Sequence, residues 1–400
     1  FRSCRSGLSA DAQLSGRNAL SDNYSAMRWD PYVLVADEEF DDFWCSHLAG
    51  RKRDLLVVVG RGFDIRTTLG SRRILNAGGD GRRDAWILNF DNGMIDSDRR
   101  SKLTSENVDR LKEIFTPERI FNLPIRLSTS GAHKGTSRDT QRAIKDNAKR
   151  LADYDEVIID ISAMPRMVAM TAMVQFLHVL DELYEKTGKD VNLHVVTAES
   201  VSSDRGAQPA SLSDTVTSVV GFSGELNSEA GEHIPRVWFP VLGEDQQTRL
   251  TRIREELRPD EICPVIPFPA RGARRGDEII ASYRQTLFDD FRVEPRNILH
   301  ACEFNPFEAY KQLYKAIDRY RDSLSELGGC KAFVSPLSSK LLSAGAVLAC
   351  YDHRMSKGVS KKPLKVGIPY LEASTYGEPT QPTIDGAELY SMWIRGEWER

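Results

Sequence analysis

The sequence predicts an α/β protein of two Rossmann-like units with mainly parallel sheets. Three observations lead there. Continuous apolar runs such as Asp54-Leu-Leu-Val-Val-Val-Gly60 and Glu156-Val-Ile-Ile-Asp160 have the pattern of strands buried on both faces of a parallel sheet. Helix-like segments separate these runs, which is the signature of βαβ units. The 400 residues also exceed what one core usually serves, since a domain holds about 100 to 200 residues.

Residues 1–27, rich in Ser, Arg, Asn and Gly without periodicity, read as a flexible N-terminal extension. The first unit spans 28–200. Its strands are expected over 54–60, 85–90, 119–125, 156–160 and 191–197, with helices near 104–115, 137–153 and 166–186. Residues 201–232 turn to Ser, Asp, Gly, Glu and Ala with little apolar pattern, the composition of a linker or insertion. The second unit, 233–400, repeats the alternation. Strands are expected over 237–243, 262–266, 297–301, 332–334 and 364–368, and helices near 245–257, 276–289, 307–327 and 339–352. A shift of 174 residues lays Ser162–Ala172 on Pro336–Ala346, so that Arg166 meets Lys340 and Ala169 meets Ser343. Internal duplication would explain the match; two unrelated α/β units sharing a strand–turn–helix unit are the alternative.

With 40% apolar and 28% charged residues the chain is globular rather than disordered. A net charge of −4 argues against broad attraction to a nucleic-acid backbone and leaves room for a local basic pocket. The six cysteines form no CxxC pair, which suggests reduced thiols and a cytoplasmic location. The most apolar stretch, Met167–Leu180, contains Thr171, Gln175 and His178 and falls short of the roughly 20 apolar residues of a membrane span. It reads as a buried helix, and no membrane partner is expected. The histidines show no HExxH or paired spacing, so no metal is expected, and no GxSxG elbow or activated cysteine marks a nucleophile. The chain begins at Phe1 rather than Met, so a preceding part of a longer polypeptide, or a partner, is a place for an effector activity.

Ligands of open α/β sheets collect outside the carboxyl ends of the strands. Four turns are candidates. In Gly60-Arg-Gly-Phe-Asp-Ile-Arg66 the glycines allow close backbone approach, Asp64 suits a ribose hydroxyl, and Arg61 or Arg66 suits phosphate; a tight turn with an Asp64–Arg66 pair is the plainer use. In Asp160-Ile-Ser-Ala-Met-Pro-Arg166, Asp160 ends a strand, Ser162 is placed to cap, and Arg166 extends from the first helical turn toward an anion or solvent. Ser335-Pro-Leu-Ser-Ser-Lys340 offers Ser335, Ser339 and Lys340 at a helix start. In Glu303-Phe-Asn-Pro-Phe307, Asn305 serves as a cap or touches a base edge. The clusters Arg271-Gly-Ala-Arg-Arg275 and Arg51-Lys-Arg53 read as solvated loop charge.

The strand ending in Asp160-Ile-Ser and leading to a basic helix start resembles the second signature of CRISPR-associated Rossmann-fold (CARF) sensor domains. The doubled arrangement is similar to the fused-tandem, SAVED-like sensor domains of bacterial antiphage signalling. The resemblance implies a nucleotide or oligonucleotide second messenger, cyclic or linear, held by Asp160, Ser162 and Arg166 and by Ser335, Ser339 and Lys340. It implies no further cofactor. Ala163 and Met164 stand where that family usually has two glycines.

A second resemblance competes. Val57-Val-Val-Gly-Arg-Gly-Phe-Asp-Ile-Arg66 is similar to the first motif of some S-adenosylmethionine-dependent methyltransferases, which implies that cofactor, with Asp64 and Asp91 on it. The leading expectation is a nucleotide-binding sensor in which Arg166 and Lys340 face one central groove. Removal of either is then expected to weaken binding and to leave stability nearly unchanged.

Overall fold

The computed structural model describes residues 27–127, 135–200, 209–224, 234–355, 364–377 and 386–399. The expected N-terminal extension lies outside these residues except for Met27, as do Cys4, His133, His233 and parts of the 201–232 segment. The apolar runs form two mainly parallel sheets.

In the first unit the strands are β1 (Val33–Ala36), β2 (Leu55–Arg61), β3 (Arg83–Asp91), β4 (Ile120–Arg126), β5 (Glu156–Asp160) and β6 (Asn192–Glu199). The helices are α1 (Glu38–Leu48), α2 (Leu69–Asn76), α3 (Asp98–Ile114), α4 (Thr136–Asp146) and α5 (Arg166–Thr187). The run around Leu55–Val59 is wholly buried because β2 is central, with β3 on one side and β5 on the other. Met167–Leu177 of α5 is buried throughout, which accounts for its apolar composition. Among the described residues no helix is long and apolar enough to cross a membrane.

Two short strands follow, β7 (Pro209–Leu212) and β8 (Thr217–Ser223). The second unit continues with β9 (Arg236–Leu242), α6 (Gln247–Leu257), β10 (Glu261–Ile262), β11 (Val265–Pro267), α7 (Arg275–Ser282), β12 (Leu299–Ala301), α8 (Pro306–Ser323), β13 (Cys330–Leu337), α9 (Lys340–Met355), β14 (Leu364–Tyr370), β15 (Ala373–Tyr376) and β16 (Glu388–Arg395). The expected strand 262–266 is two strands, broken at Cys263-Pro264, where Pro264 has no N–H for the ladder.

The sheets run β1-β16-β6-β5-β2-β3-β4 and β12-β11-β9-β13-β14-β8. Counting only the parallel strands of each unit in chain order, both read 3-2-1-4-5, the doubly wound order, with an antiparallel strand beside the fifth. The units are not, however, contiguous pieces of chain. The segment read as a linker supplies β8, which pairs with β14 of the second sheet. Residues 388–395, assigned by sequence to the second unit, form β16 and pair with β6 and β1 of the first sheet. Both exceptions are antiparallel strands added beyond the fifth parallel strand, and they carry no βαβ periodicity of their own.

The small-residue face of α9 has a local cause. At Gly345 on α9 an added Cβ would overlap the carbonyl oxygen of Pro306, the first residue of α8, so only glycine lets the helices approach this closely. Gly345→Ala is expected to cost about 1 to 3 kcal/mol through overpacking, read as a lower urea midpoint with an unchanged slope.

Candidate functional site

Each sheet reverses direction between its first and fourth strands, β2/β5 and β9/β13, and a crevice opens at such a point beyond the strand ends. Here the two crevices face each other. A cavity of about 600 Å³ is bounded by four turns: Arg61–Asp64 after β2, Ala163–Arg166 after β5, Gly243–Gln246 after β9 and Leu337–Lys340 after β13. Its volume suits a ligand of nucleotide size.

The first turn is braced from within. Gly60 has no side chain because the Phe90 ring occupies that space: a Cβ there would lie 2.9 Å from two ring carbons. Gly62 packs on the second turn, where a Cβ would sit 3.5 Å from the Ala163 carbonyl oxygen. Asp64 accepts from the Arg66 amide at 3.0 Å and from Arg66 Nη2 at 2.7 Å, and Arg66, 2% exposed, donates through Nη1 to Ala198 O at 3.2 Å. Burial raises the Asp64 carboxyl's pKa, but the Arg66 charge outweighs that effect and holds it below the usual range. Asn107 of α3 donates to the Gly62 and Asp64 carbonyls at 2.9 and 3.0 Å, which ties α3 to the turn. The Asp64–Arg66 pair thus shapes the wall. Arg61 is exposed and donates from Nη1 to Asn89 Oδ1 at 2.9 Å.

Arg166 and Lys340 line the same cavity and exchange partners across it. Arg166 Nη1 donates to Pro336 O at 3.0 Å, to Ser343 Oγ at 2.9 Å and to Ser338 O. Lys340 Nζ donates to Ser162 O. The 174-residue shift that relates Arg166 to Lys340 also relates Ser162 to Pro336, so each basic residue holds the equivalent carbonyl of the other unit. This corrects one expectation: removing either cation also removes a tie between the units, so stability falls with it. Hydrogen bonds to a charged donor contribute about 1.5 to 3 kcal/mol.

A second correspondence involves residues that sequence reasoning passed over. Arg249, at the start of α6, donates from Nε to Leu371 O at 2.9 Å, as Arg66 does to Ala198 O. In both units the accepting carbonyl lies within one residue of the end of the fifth strand, and a buried glutamate, Glu199 or Glu372, comes next. Glu199 Oε1 accepts from the Leu341 amide at 2.8 Å and Ser339 Oγ from the Leu342 amide at 3.1 Å, which closes the N-terminus of α9. Phe90, Arg100, Glu199, Arg249, Arg271, Arg275 and Glu303 complete much of the lining. The signal available in sequence was Gly243-Glu-Asp245 after β9, in the place that Gly62-Phe-Asp64 has after β2.

Of the sequence candidates, Arg61, Gly62, Asp64, Arg66, Arg166, Ser339 and Lys340 line the cavity. Gly60, Asp160, Ser162, Asn305 and Ser335 do not. Asp160 is buried behind it, with Oδ1 accepting from the Ser162 amide at 2.9 Å and Oδ2 without a hydrogen-bond partner among the described residues. Ser162 is buried and accepts from the Ala198 amide at 2.8 Å. Ser335 is buried, accepting from Trp238 Nε1 at 2.9 Å and donating to Pro369 O at 3.1 Å. Asn305 caps α8 through Phe307 N at 3.0 Å and donates to Tyr32 Oη at 2.6 Å. Asp91 also lies off the lining; its Oδ1 accepts from the Gly93 amide at 2.7 Å. The Arg271–Arg275 cluster is not solvated loop charge: Arg275 pairs with Glu244 at 2.6 Å and with Glu303, on the cavity wall.

At the opposite end of the first sheet, ligand atoms of His47, Glu156 and His194 lie within 4.8 Å of one another. Glu156 already accepts from His47 Nε2 at 3.0 Å, Asn192 Nδ2 at 2.8 Å, His194 Nε2 at 3.1 Å and the Arg53 guanidinium. A carboxylate carrying four donors, one of them a permanent cation, is neutralised without a metal, and this donor set fits a structural knot better than a coordination site.

No family model matches the chain. No curated protein matches it either. Among solved structures it is similar to a functionally unknown protein, PA1789 from Pseudomonas aeruginosa PAO1, with 9% identity over 78% of this chain and 91% of that one and a TM-score of 0.20. A superposition at that score defines no shared fold.

Proposed function

We propose that the chain is a nucleotide-binding sensor module whose ligand, a linear or cyclic nucleotide or oligonucleotide, sits in the cavity between two Rossmann-like units related by internal duplication. The observation that carries this reading is the facing of two switch-point crevices around one basic cavity of about 600 Å³. The shared 3-2-1-4-5 order, the reciprocal Arg166 and Lys340 contacts and the paired Arg66 and Arg249 contacts support the duplication. The oligonucleotide class and a role in antiphage signalling rest on the resemblance of the Asp160–Arg166 turn to the sensor domains named above, with the output carried by a partner or a further domain.

Equilibrium binding to a panel of linear and cyclic nucleotides tests the proposal. At least one member is expected to bind with Kd below about 100 μM, roughly 5 kcal/mol, and Arg166→Ala to weaken it about 10- to 100-fold, the loss of a charge-assisted contact of about 1.5 to 3 kcal/mol. A panel with no such binder would sink the reading.

A further inference from the structure

The two halves of the cavity resemble each other in backbone and differ in charge. On the second unit's side two of the three lining arginines, Arg271 and Arg275, are paired with carboxylates. Arg275 spends Nε and Nη2 on Glu244 at 2.6 and 2.7 Å and Nη1 on Glu303. Arg271 reaches Glu388 at 3.4 Å, and its amide donates to Glu303 at 2.8 Å. Arg249 uses Nε on Leu371 O and Nη1 on Gln246 Oε1 at 2.7 Å. The side chain of Lys340 turns to Ser162 O, within the field of Asp64 and Asp160.

The first unit's side is different. Arg61 and Arg166 have no carboxylate within ion-pair distance among the described residues. Each uses Nη1 alone, Arg61 on Asn89 and Arg166 on the opposite turn. In both, Nε and Nη2 make no hydrogen bond among the described residues, and these two N–H groups form the side-on edge that grips two oxygens of one phosphate. The turns that carry them touch at Gly62 and Ala163. Beside them Phe90, Met164 and Leu127 supply apolar surface and Asn89, Ser101 and Thr104 supply hydrogen-bonding groups, a setting for a nucleobase, with the charges of Arg100 and Asp96 set against each other at 3.8 Å.

We infer that the cavity takes one terminal phosphate, on the side-on edges of Arg61 and Arg166, with its base on the Phe90 side, so that the ligand is a linear 5′-phosphorylated nucleotide rather than a twofold-symmetric cyclic one. The inference rests on the nucleotide reading above. A terminal phosphate carries up to two charges and three free oxygens, matching two guanidinium edges, whereas each diester of a cyclic dinucleotide carries one charge and would set its second diester against Arg271 and Arg275, already paired with carboxylates.

The test uses three probes at fixed ionic strength: a 5′-phosphorylated linear dinucleotide, the same dinucleotide without that phosphate, and the 3′,5′-cyclic dinucleotide, each with the four common bases. The phosphorylated form is expected to bind at least tenfold tighter than the other two. Arg166→Lys is expected to erase that tenfold while changing the affinity of the unphosphorylated form less than threefold. Arg61→Lys, at an exposed side chain, repeats the measurement should Arg166→Lys fold poorly. Tightest binding by the cyclic probe, or equal losses for both linear probes, overturns this inference and leaves the nucleotide reading standing. Binding by none of the three below about 100 μM overturns both.

Discussion

Glu156→Ala is expected to lower the stability of the protein by about 3 to 5 kcal/mol, the cost of breaking a buried ion pair from one side. The carboxylate is fully buried at the start of β5, and the groups it holds come from three directions: His47 from α1, Arg53 from the segment before β2, and Asn192 and His194 from β6. Trp44 and Trp393 pack around the two imidazoles, with ring centroids 4.7 Å from Trp44 to His194 and 4.8 Å from Trp393 to His47, so no bulk water replaces the lost acceptor. Arg53 keeps Glu397 at 3.1 Å, but that carboxylate is half exposed and gives nothing to the histidines. Glu156→Gln preserves the shape and one acceptor and is expected to cost less than half as much. Burial raises the Glu156 pKa, yet the hydrogen bonds from His194 and His47 outweigh burial and hold it well below its ordinary value of 4.5. A depressed folded-state pKa supplies stability above pH 4.5 that disappears as pH falls toward the lower value. The gap between wild type and Glu156→Gln in urea midpoint should therefore be full at pH 7 and narrow below about pH 4.5. A gap that widens in acid would show that the carboxylate is not the group holding the knot.

The same contrast between local and long-range determinants decides what could be read from the sequence. The strands at 55–61, 156–160 and 236–242 announce themselves because burial on both faces makes their central residues, 55–59, 157–159 and 237–242, apolar without a break. The match of Ser162–Ala172 to Pro336–Ala346 was legible because helices that pack closely need small residues at fixed spacing, as Gly345 against Pro306 shows. β16 was not legible. Its place beside β6 is fixed by contacts between residues almost two hundred positions apart, Tyr390 opposite Thr197 and Met392 opposite Val195, and nothing local to 388–395 states that partner. The site divides in the same way. Arg61, Asp64 and Arg166 are visible as charged residues at strand ends. That Asp64 belongs to Arg66, that Glu199 closes α9, and that Arg166 and Lys340 each reach the other unit depends on two distant turns meeting. Asp160 has the strand-end position at which aspartates meet ligands, and the structure instead covers it with Ser162, Gly70 and Val196.

Asp160→Asn is expected to stabilise the protein at neutral pH. The carboxyl group is 2% exposed, accepts one amide hydrogen bond through Oδ1, and has no hydrogen-bond partner at Oδ2 among the described residues. Gly70 of α2 packs directly on it: a Cβ there would lie 2.7 Å from Oδ2, so neither water nor a side chain has room to solvate that oxygen. Burial raises its pKa, the bonds from Ser162 and the charge of Lys340 counter only part of that, and the net result is about 6 against an ordinary 3.8. A raised folded-state pKa means that the native state favours the protonated form. The group's contribution is then complete below pH 3.8 and is lost as pH rises through about 6, and the ionised carboxylate at pH 7 costs about 3 kcal/mol at 1.4 kcal/mol per unit. The amide of Asn removes the charge and keeps an acceptor for Ser162. Urea unfolding at pH 4, 5, 6 and 7 should show the variant gaining on wild type across that range, by up to about 3 kcal/mol at pH 7. An advantage independent of pH, or a loss of stability at pH 7, would mean that the ionised carboxylate is held by Lys340 closely enough to be favourable.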